Sequence, residues 1–119
     1  LADIIENTER IERYLHGMDR ATFASSDMTR DAVERCLERV CEAAHRLGED
    51  AVRLMPGQPW AEIRGMGNRL RHAYDRISLD VIWNAIRYDL PGLSEDARKA
   101  LATIGADGQA ATGSLNGDE

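Results

Sequence analysis

The residues able to do chemistry are concentrated in one stretch, Arg64-Gly65-Met66-Gly67-Asn68-Arg69-Leu70-Arg71-His72-Ala73-Tyr74-Asp75-Arg76. At about 100° per residue, Asn68, Arg69 and His72 share one helix face as i−4, i−3 and i, while Ile63, Met66, Leu70 and Ala73 hold the core side. An imidazole therefore stands beside an amide and a guanidinium. His72 falls near the helix C-terminus, where the macrodipole favours a cation, and an imidazole exchanges its proton near neutral pH. Metal-free cleavage of RNA asks for a base on the 2′-OH, an acid for the leaving oxygen, and a fixed cation against the charge growing on the phosphoryl oxygens. A histidine with a neighbouring arginine is the minimal kit, and Arg64, Arg69, Arg71 and Arg76 are candidate phosphate contacts. On residue types alone, an ordinary solvated face with a surface histidine is the commoner outcome of such a pattern.

Charge distribution singles out the same stretch. The formal net charge is −6, which as an average argues against a nucleic-acid partner. From Leu1 to Arg53 there are 8 basic and 12 acidic residues, and from Ile77 to Glu119 3 and 7, whereas Trp60 to Arg76 has 4 basic against 2 acidic. One basic island sits in an acidic chain, and surfaces act locally. Fourteen of the 15 cations are Arg, with Lys99 the exception. Arginine is the better planar phosphate clamp.

Other candidates are weaker. Cys41 and His45 are i and i+4 on one helix, a metal-ligand spacing, but no further Cys or His lies close downstream, so no metal site and no cofactor are expected. Cys36 and Cys41 are the only cysteines, too few for a disulfide framework, and read as reduced thiols. His16 and His45 read as surface residues. Trp60 and Trp83 recur at inward helical positions and are read as core.

The elements that must position the basic stretch are helices. With 119 residues, 43% hydrophobic and 30% charged, the chain fits one domain able to bury a core, and its 3 prolines leave little room for the regular turns of a β-sandwich. Ile4, Thr8, Ile11, Leu15 and Met18 recur at fours and threes, predicting a helix from about Asp3 to His16 with Gly17 as its stop. Asp19 caps a short turn through Phe23. Ser25, Ser26 and Asp27 then open a long helix in which Val33, Cys36, Leu37, Val40, Ala43, Ala44 and Leu47 face the core to Gly48. On its solvated side Arg30 with Glu34, and Glu42 with Arg46, are expected as i,i+4 pairs. A turn over Ala51 to Leu54 leads to Pro56, Gly57 and Pro59. The next helix carries the basic stretch and is expected to end between Tyr74 and Ile77. Ser78 caps the last long segment, with Leu79, Ile82, Trp83, Ile86 and Leu90 inward, until Pro91 breaks or kinks it. Ser94 to Asp96 restarts a helix to about Thr103.

Four main helices on short connectors predict an all-α, antiparallel up-and-down four-helix bundle with short extra helical turns. The domain is read as 1–104, with 105–119 as a flexible Gly- and Ala-rich C-terminal tail. The small residues Ala32, Cys41, Ala43 and Ala44 would permit close helix approach in a homodimer. No apolar run approaches a membrane span and the start is not a signal peptide, so a cytoplasmic protein without membrane contact is expected.

At these residues the sequence resembles the HepT-like members of the HEPN helical superfamily, toxins encoded beside a small nucleotidyltransferase antitoxin. The resemblance runs from Ile4 to Leu93. It is carried by Val40-Cys41-Glu42-Ala43-Ala44, similar to the family's Ile-Gly-Glu-Ala-Ala, by Pro59-Trp60-Ala61-Glu62-Ile63-Arg64-Gly65-Met66, by Asn68-Arg69-Leu70-Arg71-His72-Ala73-Tyr74, and by Val81-Ile82-Trp83 through Asp89-Leu90-Pro91-Gly92-Leu93. It implies a HEPN-like bundle, a homodimer bringing two motif copies to one cleft, and metal-independent ribonuclease activity on an RNA such as tRNA or mRNA. The type is that of a type VII-like toxin–antitoxin module, with an MNT-type nucleotidyltransferase as cognate antitoxin.

The family signature is Arg-x-x-x-x-His-x-Tyr. His72 matches as the implied acid/base, and Tyr74 as the implied acceptor of AMP, the AMPylation that silences the toxin. Asn68 is the candidate that orients phosphate or imidazole. The first position departs: Gly67 stands where the family has Arg, so the chain is expected to be inactive or attenuated as a nuclease. Two origins are open for Gly67, a naturally weakened homologue or a replacement made because the active toxin harms its host, and the second is preferred. Arg64 and Arg69 are the candidate stand-ins. The alternative function is a non-catalytic HEPN interaction module that dimerises and binds the nucleotidyltransferase. On an unbroken helix Tyr74 lies about 200° from His72, so a role for both requires the helix to fray by Ala73 or a partner chain to take part.

Overall fold

Ile4, Thr8 and Ile11, spaced four and three apart, are all buried on the first helix, α1 (Ala2–Tyr14), whose other face carries the Glu6–Arg10 ion pair at 3.2 Å. The structure is a computed structural model that describes the backbone of residues 1–72 and 77–112 and the side chains of 1–72 and 77–105. The Asp19 side chain accepts the Thr22 N–H at 2.8 Å and starts the short α2 (Arg20–Ala24), which delivers Phe23, fully buried, to the core. Ser26 caps α3 (Asp27–Leu47) by accepting the Thr29 N–H, and Gly48, at φ +56°, turns the chain out of it. Val33, Cys36, Leu37, Val40, Ala43 and Ala44 are buried along α3, the face set by their spacing.

The connector is more ordered than its composition suggests. A helix α4 (Glu49–Leu54) precedes Pro56, and Met55 behind it is buried and offers its carbonyl to the Trp60 indole N–H at 2.9 Å. Pro59 has no N–H to lose and gives its carbonyl to the first turn of α5 (Trp60–Arg71). Ser78 caps α6 (Leu79–Asn84), and Asp80 in its first turn pairs with Arg20 of α2.

Pro91 does not end the last helix. The chain widens into a π turn over Ala85–Asp89, where the Leu90 N–H bonds the Ala85 carbonyl, and continues as α7 (Leu90–Thr112). The expected break and restart at Ser94 are thus replaced by one long rod, because a wide turn loosens the backbone just where a proline ring would crowd the preceding turn. The rod also runs past Thr103 to Thr112, through a sequence containing Ala106, Ala110 and Ala111, which favour helix.

Helices α1, α3, α5 and the α6–π–α7 rod form the expected all-α bundle, with no strand among the described residues. Asp3 meets Arg46 at 2.8 Å while Arg10 and Arg35 line the same groove, so α1 and α3 run antiparallel. On the other flank of α1, Arg98 of α7 reaches Glu9 at 3.0 Å. One core runs through Ile4, Ile11, Phe23, Val33, Met55 and Ile82, and shortening such a residue to Ala costs about 2–5 kcal/mol. No helix among the described residues is long and apolar enough to cross a membrane.

Candidate functional site

Helix α5 carries the basic stretch against α3. Two of its glycines differ in kind. Gly65 faces open space, whereas a Cβ placed on Gly67 would stand 2.8 Å from Cys41 Cβ and 3.7 Å from its Sγ. Gly67 is buried, and its lack of a side chain lets α5 lie on α3 at Cys41. The glycine costs the helix about 1 kcal/mol relative to Ala, and the close approach is what it permits in return. The packing therefore supplies a reason for Gly67 that the sequence did not, since position 67 and position 41 cannot both carry a Cβ at this spacing.

Arg71 lies one turn further along α5. Its side chain runs back toward the helix N-terminus, the usual direction for a long helical side chain. The guanidinium comes to rest over Gly67, with Nη1 3.8 Å from where that Cβ would be. Nη2 donates to Asn68 Oδ1 at 2.6 Å, and Nη1 reaches Glu42 Oε1 of α3 at 3.4 Å. The sequence pairs Glu42 with Arg46. Instead Arg46 takes Asp3 of α1 and Glu42 takes Arg71, because both lie on flanks of α3 where a neighbouring helix offers a closer charge. The expected Arg30–Glu34 pair forms at 2.7 Å, half-buried rather than fully solvated, and Arg30 also donates to the Ile77 carbonyl at 2.6 Å.

Helix α5 ends at Arg71. His72, at φ −93° and ψ 76°, leaves helical geometry while its N–H still donates to the Asn68 carbonyl at 3.2 Å. This is earlier than the end expected between Tyr74 and Ile77, and two glycines in the last seven residues give the helix little propensity to continue. The His72 side chain is exposed at this end, directly after Arg71. Ala73, Tyr74 and Arg76 lie outside the described residues.

Beneath the guanidinium, burial pushes the Cys41 thiol up to about 11, against a smaller downward pull from the Arg71 charge. Cys41 is thus held as a protonated, packed thiol. Cys36 is shifted in the same direction by burial. His45 is exposed, one turn along the helix. Of the small residues expected to permit close helix approach, Cys41, Ala43 and Ala44 are buried within the chain and Ala32 is half-buried. Trp60 is buried as expected, and the Trp83 ring packs on Phe23 with centroids 5.5 Å apart.

Arg69 points elsewhere. It lines an open groove of about 510 Å³ between α3, α5 and the α6–π–α7 rod, whose floor includes Val40, Ile63, Met66, Val81 and Leu93. Arg64 is exposed, eight residues or about 12 Å of helix before His72. Of the residues singled out in the sequence, the structure brings Gly67, Asn68 and Arg71 together at the end of α5 that His72 terminates. Glu42 and Cys41 complete the cluster. Neither was marked for it, since nothing in the sequence reports which residues of α3 face α5, although Arg71 standing four after Gly67 was a legible signal.

A small helical bundle with an arginine, an amide and an imidazole at one helix end is the class that fold and site define. Residues 4–100 match the HepT-like family, described as ribonuclease HepT-like, and the chain belongs to it. It is similar to a Thermococcus cleftensis protein named "Probable ribonuclease HepT", 36% identical over 93 residues, which cover 78% of this chain and 84% of that one. It is also similar to two Methanocaldococcus jannaschii proteins. "Putative RNase MJ1380" is 30% identical, covering 81% of this chain and 88% of its own length, and "Putative RNase MJ1216" is 28% identical, covering 87% and 86%. No solved structure matches the chain significantly.

Proposed function

We propose that this protein is a metal-independent ribonuclease attenuated by Gly67, the toxin of a type VII-like toxin–antitoxin module acting in the cytoplasm. The observation that carries the reading is the family match through residues 4–100, within which His72 closes α5 beside Asn68 and Arg71. In the reaction the 2′-oxygen loses its proton to a base and attacks the adjacent phosphorus. The bond from phosphorus to the 5′-oxygen breaks, and that oxygen takes a proton from an acid. One subunit offers one imidazole from this motif. Pairing as a homodimer supplies the second, so that His72 and the partner subunit's His72 serve as base and acid at a shared cleft. The apolar groove beside α5 supports such pairing, since it opens to solvent and includes the exposed Val81.

Tyr74, two residues past His72, is the proposed acceptor of AMP from the cognate MNT-type nucleotidyltransferase. The family match, which spans position 74, supports this. The test is cleavage of an RNA oligonucleotide in the presence of a chelator. The wild type should yield 2′,3′-cyclic phosphate ends, and His72→Ala should lose at least 100-fold in rate. Incubation with the nucleotidyltransferase and ATP should add one AMP and stop cleavage, and Tyr74→Phe should block both effects. Cleavage by His72→Ala at the wild-type rate defeats the reading.

A second reading is favoured by Gly67, which offers no charge and is sealed against Cys41. In it the chain is a non-catalytic module that dimerises and binds the nucleotidyltransferase. Absence of RNA cleavage together with retained binding of that partner would select it.

A further inference from the structure

We infer that Arg71 is the cation that binds the scissile phosphate, its guanidinium laid over the side-chain-free Gly67 and aimed by Asn68 and Glu42. This rests on the ribonuclease reading and names the group that would hold the substrate's phosphoryl oxygens. Cleavage needs a fixed positive charge near the imidazole, and the three described arginines of the basic island can be compared directly. Arg64 is exposed about 12 Å of helix upstream of His72. Arg69 lines the apolar groove. Arg71 precedes His72 in the chain and turns back over Gly67, and its orientation is fixed by two contacts, 2.6 Å to Asn68 Oδ1 and 3.4 Å to Glu42 Oε1.

Two features suit it to phosphate. A guanidinium has five N–H donors, and these contacts occupy two, with the side chain 40% exposed. The remaining donors are available to oxygens arriving from solvent, in the planar fork that matches a phosphate. A Cβ on position 67 would stand 3.8 Å from Nη1, in ordinary contact, so the guanidinium lies directly over the glycine. Glu42 acts in the opposite sense. Its carboxylate holds the guanidinium in place but repels an incoming phosphate, so the long 3.4 Å contact, with both groups 40–45% exposed, is one the substrate can compete with.

The experiment compares wild type, Arg71→Ala, Arg71→Lys, Glu42→Gln and the distant control Arg53→Ala, with thermal melting to check folding. The first readout is cleavage of a mixed-sequence single-stranded RNA. The second is binding of the same oligonucleotide made uncleavable by 2′-deoxy substitution, across a salt series. Arg71→Ala should lower kcat about 100-fold and weaken binding severalfold, and Arg71→Lys should regain part of both losses. Glu42→Gln should tighten binding severalfold, and Arg53→Ala should match wild type. An Arg71→Ala protein that is folded and cleaves at the wild-type rate overturns the assignment while leaving the ribonuclease intact. If the wild type itself does not cleave, the ribonuclease reading fails and the salt series judges Arg71 alone. Loss of about 0.7 from the slope of log affinity on log salt in Arg71→Ala upholds it as a phosphate contact, and an unchanged slope overturns it.

Discussion

Gly67 of α5 and Cys41 of α3 form a matched pair: a Cβ on the glycine would lie 2.8 Å from the cysteine Cβ, closer than packed carbon atoms approach. The two positions thus share space for a single Cβ between facing helices.

The pair can be tested by a double-mutant cycle read by denaturant unfolding. Gly67→Arg alone should destabilise by about 1–3 kcal/mol, the usual cost of overpacking. Cys41→Gly alone should also destabilise, through lost burial and helix propensity. Together they should cost less than the sum by about 1–2 kcal/mol. Strict additivity would mean that the helices move apart freely and that the contact imposes nothing.

The buried Cys41 thiol predicts a pH dependence. Its value in the folded chain is about 11 against an ordinary 9.0. Between these values the unfolded chain releases the proton and the folded chain keeps it, so stability is full below pH 9 and falls as pH rises toward 11. The loss attributable to this group should be about 2 kcal/mol. Unfolding curves at pH 8 and pH 10.5 should therefore converge more closely for Cys41→Ala than for wild type, and an equal pH effect in both proteins would refute the assignment. Native Cys41 should also resist thiol reagents at pH 8.

Pairing through the groove predicts an oligomer that depends on its apolar lining. Val81 is exposed on α6 and lines that groove. Val81→Arg should leave melting nearly unchanged yet convert a dimer to a monomer in sedimentation experiments, with RNA cleavage reduced at least tenfold if the site needs both subunits. A Val81→Arg protein that sediments as the wild type does would place the interface elsewhere.

How much was legible in the sequence follows the range of the forces involved. The stripes of α1 and α3 and the caps at Asp19, Ser26 and Ser78 were readable, because 3–4 spacing and cap chemistry act within one turn. Pairings across helices were not. Glu42 and Arg46 have ideal i,i+4 spacing, yet each found a partner on another helix, since an exposed pair is worth too little to resist a competing charge. Ala43 and Ala44 showed that small residues were needed for close approach, but not whether the neighbour was the same chain or a second one. At the site, Asn68 and His72 were marked by residue type. The seat of Arg71 over Gly67 was hidden until α3 supplied Cys41 and Glu42.

The π turn at Ala85–Asp89 makes the last helix two rods with different angular settings, joined by one wide coil. Removing a single residue there would turn the i→i−5 bond into an ordinary i→i−4 bond, and the helix beyond it would keep close to its present setting. Ser94 and Ala97 would stay buried, and Arg98 would keep Glu9. This coil is thus the one stretch of the last helix that can shed a residue, whereas a deletion within α7 would turn all that follows by about 100°.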